Sequence, residues 1–124
     1  MYSRVSVEAE LDTLEASRRA TAAVLHALRD RLTPEEAAQA AAQLPDELKV
    51  LWASGRPARG RPLKLRRREF LERIRVEAGL ASTVQAEQVT DAVFAALKEQ
   101  LPEGEADDIM AQLPRDLKRQ WARA

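Results

Sequence analysis

The chain has 124 residues, equal numbers of acidic and basic side chains, 45% hydrophobic residues and only 4% aromatics, a length that suits one compact domain with a core of its own. The lack of cysteine excludes disulfides, thiolate metal sites and a cysteine nucleophile, the single His26 excludes any site built on two histidines, and four glycines argue against glycine-rich phosphate loops. No apolar run approaches the roughly 20 residues needed to span a bilayer, and no basic-then-apolar segment opens the chain, so a cytoplasmic protein with no membrane partner is the expectation.

In chain order, the opening residues 3–11 are ambiguous. Val5, Val7, Ala9 and Leu11 alternate with polar residues as in a half-buried strand, but the matching stretch further on (Phe70, Leu71, Ile74, Ala78) has helical spacing, and a helix is expected in both. A long helix follows over Leu14–Arg31, with Ala20, Val24, Leu25, Leu28 and Leu32 on one face. Thr33-Pro34-Glu35-Glu36 reads as a capping box with proline in the first turn. The helix it starts buries Ala37, Ala40, Ala41 and Leu44. Pro45 ends that helix and opens the next, where Asp46 and Glu47 favour the helix dipole and Leu48 and Trp52 share a face.

The same order then recurs. Shifting the chain by 69 positions without a gap leaves about 21 identities over about 55 aligned positions. Ala42-Gln43-Leu44-Pro45 meets Ala111-Gln112-Leu113-Pro114, and Trp52 meets Trp121. The second long helix, Thr83–Gln100, repeats the stripe as Val89, Val93, Phe94, Leu97 and Leu101. The expected fold is therefore all-α: two tandem, internally duplicated four-helix units, packed as one domain of about eight helices. Residues 1–53 form the first repeat, 54–69 a connector and 70–124 the second repeat.

Charge is uneven. The first repeat carries about −3, the connector to Arg68 about +7, and the rest about −4. Arg56, Arg59, Arg61, Lys64, Arg66, Arg67 and Arg68 are the candidate contacts for nucleic acid or another polyanion, whose phosphates such a run neutralises. The connector has no aromatic residue for base stacking, and the competing reading is a strap held by the acidic halves.

The signature residues Gln43, Leu44, Pro45 and Trp52, with Gln112, Leu113, Pro114 and Trp121, read as structural: core anchors, helix starts, and glutamines that bond backbone at the helix junctions. His26 lies off the apolar stripe and is expected to be partly exposed. Glu103, Glu105, Asp107 and Asp108 cluster, but in a first turn where acids favour the dipole, and without calcium-loop spacing. No nucleophile–base pair, nucleotide loop or zinc pattern is recognisable, so no catalytic residue, cofactor or metal site is expected.

The stretch Leu25–Ala37 followed by Ala42-Gln43-Leu44-Pro45 resembles the bacterial domain-of-unknown-function family DUF 2267, as does Phe70–Ile74 leading to Gly104-Glu105-Ala106 and Ala111–Pro114. The resemblance covers nearly the whole chain. It implies an all-helical fold of small bundles, relatives without an assigned catalytic activity and, in some, neighbouring regulatory modules. The leading expectation is a non-catalytic protein-interaction or scaffold module that takes a protein partner in a groove between the halves. The alternative is polyanion binding through the connector, and an enzyme or small-ligand binder ranks below both.

Overall fold

The computed structural model describes residues 13–54 and 66–124, which form seven helices. These are α1 (Leu14–Arg31), α2 (Pro34–Gln43), α3 (Asp46–Ala53), α4 (Arg67–Ala78), α5 (Thr83–Gln100), α6 (Glu103–Ala111) and α7 (Arg115–Arg123). No strand occurs among the described residues. The segment 3–11, read as a helix in preference to a strand, lies outside them.

Local chemistry sets the boundaries. Thr13 caps α1 by accepting from the Ala16 amide at 3.0 Å. Thr33 and Glu36 form both bonds of the capping box of α2, at 3.2 and 2.9 Å. Ser82 caps α5 through the Gln85 amide at 3.2 Å. Pro45 and Pro114 precede the first helical residues of α3 and α7 rather than occupying the first turn, whereas Pro34 is the first residue of α2.

α4 ends at Gly79, whose φ of +66° is the left-handed conformation that closes a helix. The Leu80 amide reaches back to the Arg75 carbonyl at 2.9 Å and the Gly79 amide to Val76 at 3.3 Å. A Cβ at Gly79 would meet the Arg19 guanidinium at 3.3 Å, and Arg19 in turn donates to the Glu77 carbonyl at 3.1 Å. Gly79→Ala is expected to cost about 1 kcal/mol, read as a lower urea midpoint with unchanged slope.

One continuous core runs through both repeats. α1 contacts its own counterpart α5, and α2 contacts its counterpart α6, as equivalent faces do about a two-fold axis. Within each repeat the long helix holds the last: α1 against α3, α5 against α7. α4 lies across both long helices. Trp52 and Trp121 are buried, and Phe94 stacks at an angle on Trp121, with centroids 4.9 Å apart. Both apolar stripes read from the sequence are buried in full.

Two sequence-based expectations are corrected. His26 is buried, not partly exposed. α1 is enclosed by α3, α4 and α5, so residues 23–30 are buried without a break and a one-face reading fails there. Gln43 is exposed and Gln112 half-buried, and neither side chain bonds backbone among the described residues. The main chain closes those junctions itself: the Leu44 amide donates to Ala41, Gln112 to Ile109 and Leu113 to Met110, each at 3.1 Å.

Candidate functional site

Polar or open chemistry among the described residues includes a buried joint around His26, matched cationic caps on the last helix of each repeat, and two equivalent outer grooves.

The joint connects α1, the end of α3 and α4. His26 Nδ1 lies 2.7 Å from Glu77 Oε2, and Nε2 lies 2.8 Å from the Leu51 carbonyl and 2.9 Å from Ser54 Oγ. One turn on, Asp30 accepts from Arg29 Nε at 2.9 Å and from Arg73 Nη2. Hydroxyl, imidazole and carboxylate stand here in the order of a nucleophile relay. The relay is spoiled at its first step. Ser54 Oγ donates its proton to the Leu51 carbonyl at 2.7 Å, and that same carbonyl faces Nε2. The hydroxyl also sits at the carbonyl end of α3, where the helix dipole opposes a developing oxyanion. The geometry suits a fastener between helices. Nothing local in the chain signals it, because Glu77 and Ser54 lie 51 and 28 residues from His26.

The caps are repeat-equivalent. Arg29 Nη1 donates to the Trp52 and Ser54 carbonyls at 2.7 and 2.8 Å, closing α3. Lys98, at the position aligned with Arg29, donates to the Trp121 and Ala124 carbonyls at 2.9 Å each, closing α7. A cation at the negative end of a helix satisfies orphan carbonyls and the dipole together. The aligned Arg29 and Lys98 were a visible signal of this shared role.

The grooves lie on the outside. In the first repeat Leu14, Glu15, Arg18, Glu47 and Val50 line a groove of about 600 Å³ between α1 and α3. In the second, Glu87, Asp116 and Arg119 stand at the positions of Arg18, Glu47 and Val50, and with Arg67, Ala122 and Arg123 line a groove of about 650 Å³ between α5 and α7. The two places are the same in the fold and differ in chemistry. The first has exposed apolar side chains, Leu14 at 70% and Val50 at 62%. The wall of the second carries an ion pair, Arg67–Glu87 at 2.9 Å, with Arg123 at 3.9 Å from the same carboxylate. Across the halves, among the described residues, α1 packs on α5 and α2 on α6.

A family model described as an uncharacterized conserved protein, DUF2267, matches residues 1–120. The chain belongs to the DUF2267 family. A search of curated proteins found no match. The membership agrees with the all-helical fold and assigns no activity.

In this DUF2267 chain, Arg66, Arg67 and Arg68 form the cap and first turn of α4, and Arg67 alone of them lines the second groove. Arg56, Arg59, Arg61 and Lys64 lie outside the described residues. The buried signature residues Leu44, Trp52, Leu113 and Trp121 are core anchors. The acids of α6 do not converge: among the described residues no group of three or more His, Cys, Asp or Glu is placed to hold a metal ion. Partial burial, then the neighbouring Asp108, pushes the Glu105 carboxyl above its ordinary value. On the exposed side of α4 the Arg75 guanidinium, bonded to Glu72 at 2.9 and 2.5 Å, holds that carboxyl below its ordinary value. No helix among the described residues is long and apolar enough to cross a membrane.

Among the described residues, one buried polar side chain of the second repeat stands where the first has an apolar one. Gln120 stands where Leu51 stands in the first repeat. Its Nε2 donates to Asp91 Oδ1 at 2.9 Å and to the Glu87 carbonyl at 3.3 Å, while its Oε1 is buried without a partner among the described residues. An unsatisfied buried oxygen costs about 1–3 kcal/mol, and half-buried Asp91 regains water when its donor is removed. Gln120→Leu is therefore expected to stabilise the chain by about 1 kcal/mol, measured as a higher urea midpoint, whereas Gln120→Ala lowers it.

Proposed function

We propose that this DUF2267 chain is a non-catalytic interaction module, and that its first repeat receives an amphipathic partner helix along the groove between α1 and α3. The observation that carries the reading is the pairing of Leu14 and Val50, exposed at 70% and 62%, on the walls of one groove. Covering such a side chain fully stabilises a complex by about 1.5–3 kcal/mol. The fold does not require apolar residues there: the second repeat places Thr83 and Arg119 at the same positions. Glu15 and Glu47 flank the apolar pair, with Arg18 as the one cation of the wall. The matching partner is a helix whose apolar stripe, at positions three and four apart, is bordered by Lys or Arg.

The reading is tested by selecting helical peptides on the full chain from a displayed library, then measuring each peptide against Val50→Glu and Leu14→Glu. Both positions are exposed, so neither variant disturbs the core. Peptides with basic-flanked apolar stripes should lose at least about tenfold in affinity, since a truncated or charged anchor costs 2 kcal/mol or more. Selected peptides that bind both variants as they bind the parent would overturn it.

A further inference from the structure

The second repeat carries a charge pattern that the first lacks. On α7, Arg115, Arg119 and Arg123 recur at every fourth residue, all exposed, with Lys118 beside them. Residues four apart share a helix face. The opposite face is fixed by buried Leu117, Gln120 and Trp121. α3 is held by the same Leu and Trp anchors, yet at the three arginine positions it has Asp46, Val50 and Ser54. Folding therefore does not require the cations.

The groove between α5 and α7 joins this face to the start of α4. Arg67, Arg119 and Arg123 line it with the acids Glu87 and Asp116, and among the described residues its walls hold no large apolar side chain. Glu87 engages Arg67 and, more distantly, Arg123. Arg115, Lys118 and Arg119 have no ion-pair partner among the described residues. Exposed Arg66 and Arg68 carry the positive charge along the sequence towards the arginine-rich connector.

We infer that this face binds the phosphate backbone of double-stranded nucleic acid without reading its sequence. Guanidinium forks match phosphate oxygens, and three of them at four-residue steps span about 12 Å of helix, the reach of several phosphates. Among the described residues no aromatic side chain lines the groove, which disfavours single strands, whose binding rests on stacking. No large apolar side chain among the described residues lines it either, which disfavours insertion into an anionic membrane. The inference is independent of the α1/α3 groove and stands or falls without it.

The test is fluorescence anisotropy of a short labelled duplex with the full chain, between about 50 and 200 mM salt. Saturable binding is expected, with a log–log salt slope of about −4 or steeper, the mark of four or more phosphate contacts. The double variant Arg119→Gln with Arg123→Gln, its helical signal unchanged, should make the slope shallower by roughly two and weaken low-salt binding at least about tenfold. The inference is overturned by no saturable binding at the lowest salt, or by a double variant that binds like the parent. Equal affinity for a single strand, for anionic lipid vesicles or for polyglutamate would overturn it as well.

Discussion

Phe94→Ala is expected to destabilise the chain by about 3–5 kcal/mol, the range for truncating a fully buried aromatic ring. Phe94 is fully buried on α5 and touches the aromatic anchors of two other helices, Phe70 of α4 at 6.3 Å and Trp121 of α7 at 4.9 Å between centroids. Removing the ring opens a cavity where α4, α5 and α7 meet, and alanine-rich surroundings offer few flexible side chains to refill it. A chain of this size has only about 5–15 kcal/mol of net stability, so the variant should sit close to unfolding at room temperature. Urea titration followed by tryptophan fluorescence measures it. Because Trp52 and Trp121 belong to one core cluster, both should report the same transition. A loss below about 1 kcal/mol would mean that the junction is not close-packed.

Asp30→Ala is expected to cost a similar amount, about 3–5 kcal/mol, by a different route. The Asp30 side chain is almost wholly buried and accepts from Arg29 on its own helix and from Arg73 on α4. Without it, two guanidinium groups lose a shared counter-charge in a poorly solvated place. Arg29 also holds the carbonyl end of α3, so disturbance there should spread to Trp52. The signature is a lowered urea midpoint together with a red-shifted emission from Trp52, read in a Trp121→Phe background. Unchanged emission with lowered stability would confine the damage to α1 and α4.

What was legible in the sequence was whatever repeats or follows local chemistry. The 69-residue shift, the capping box at Thr33, the proline breaks and the two apolar stripes all foretold elements that the fold contains. His26, Asp30 and Arg73 were not legible as a buried joint. Their environment depends on where the end of α3 and the whole of α4 come to rest against α1, and helical periodicity carries no information about that. Gln43 and Gln112 misled for the opposite reason: they looked like a motif, but the junction backbone satisfies itself. The outer grooves lay in between. Once the repeats were aligned, Val50 against Arg119 and Arg18 against Glu87 were readable as differences, although only the structure places each pair on a groove wall. The basic face of α7 is also present in the sequence as the four-residue period Arg115, Arg119 and Arg123.

The two outer grooves differ in chemistry, one with exposed apolar side chains beside Glu15 and Glu47, the other with three arginines beside Glu87 and Asp116. The central claim is that the first of these grooves takes an amphipathic helix. The most direct measurement is an NMR titration of the isotope-labelled full chain with a selected basic-flanked helical peptide. Saturable shifts confined to α1 and α3 around Leu14, Glu15, Arg18, Glu47 and Val50 are the predicted result. Shifts centred on Arg67, Arg119 and Arg123, or spread evenly over the chain, would contradict it.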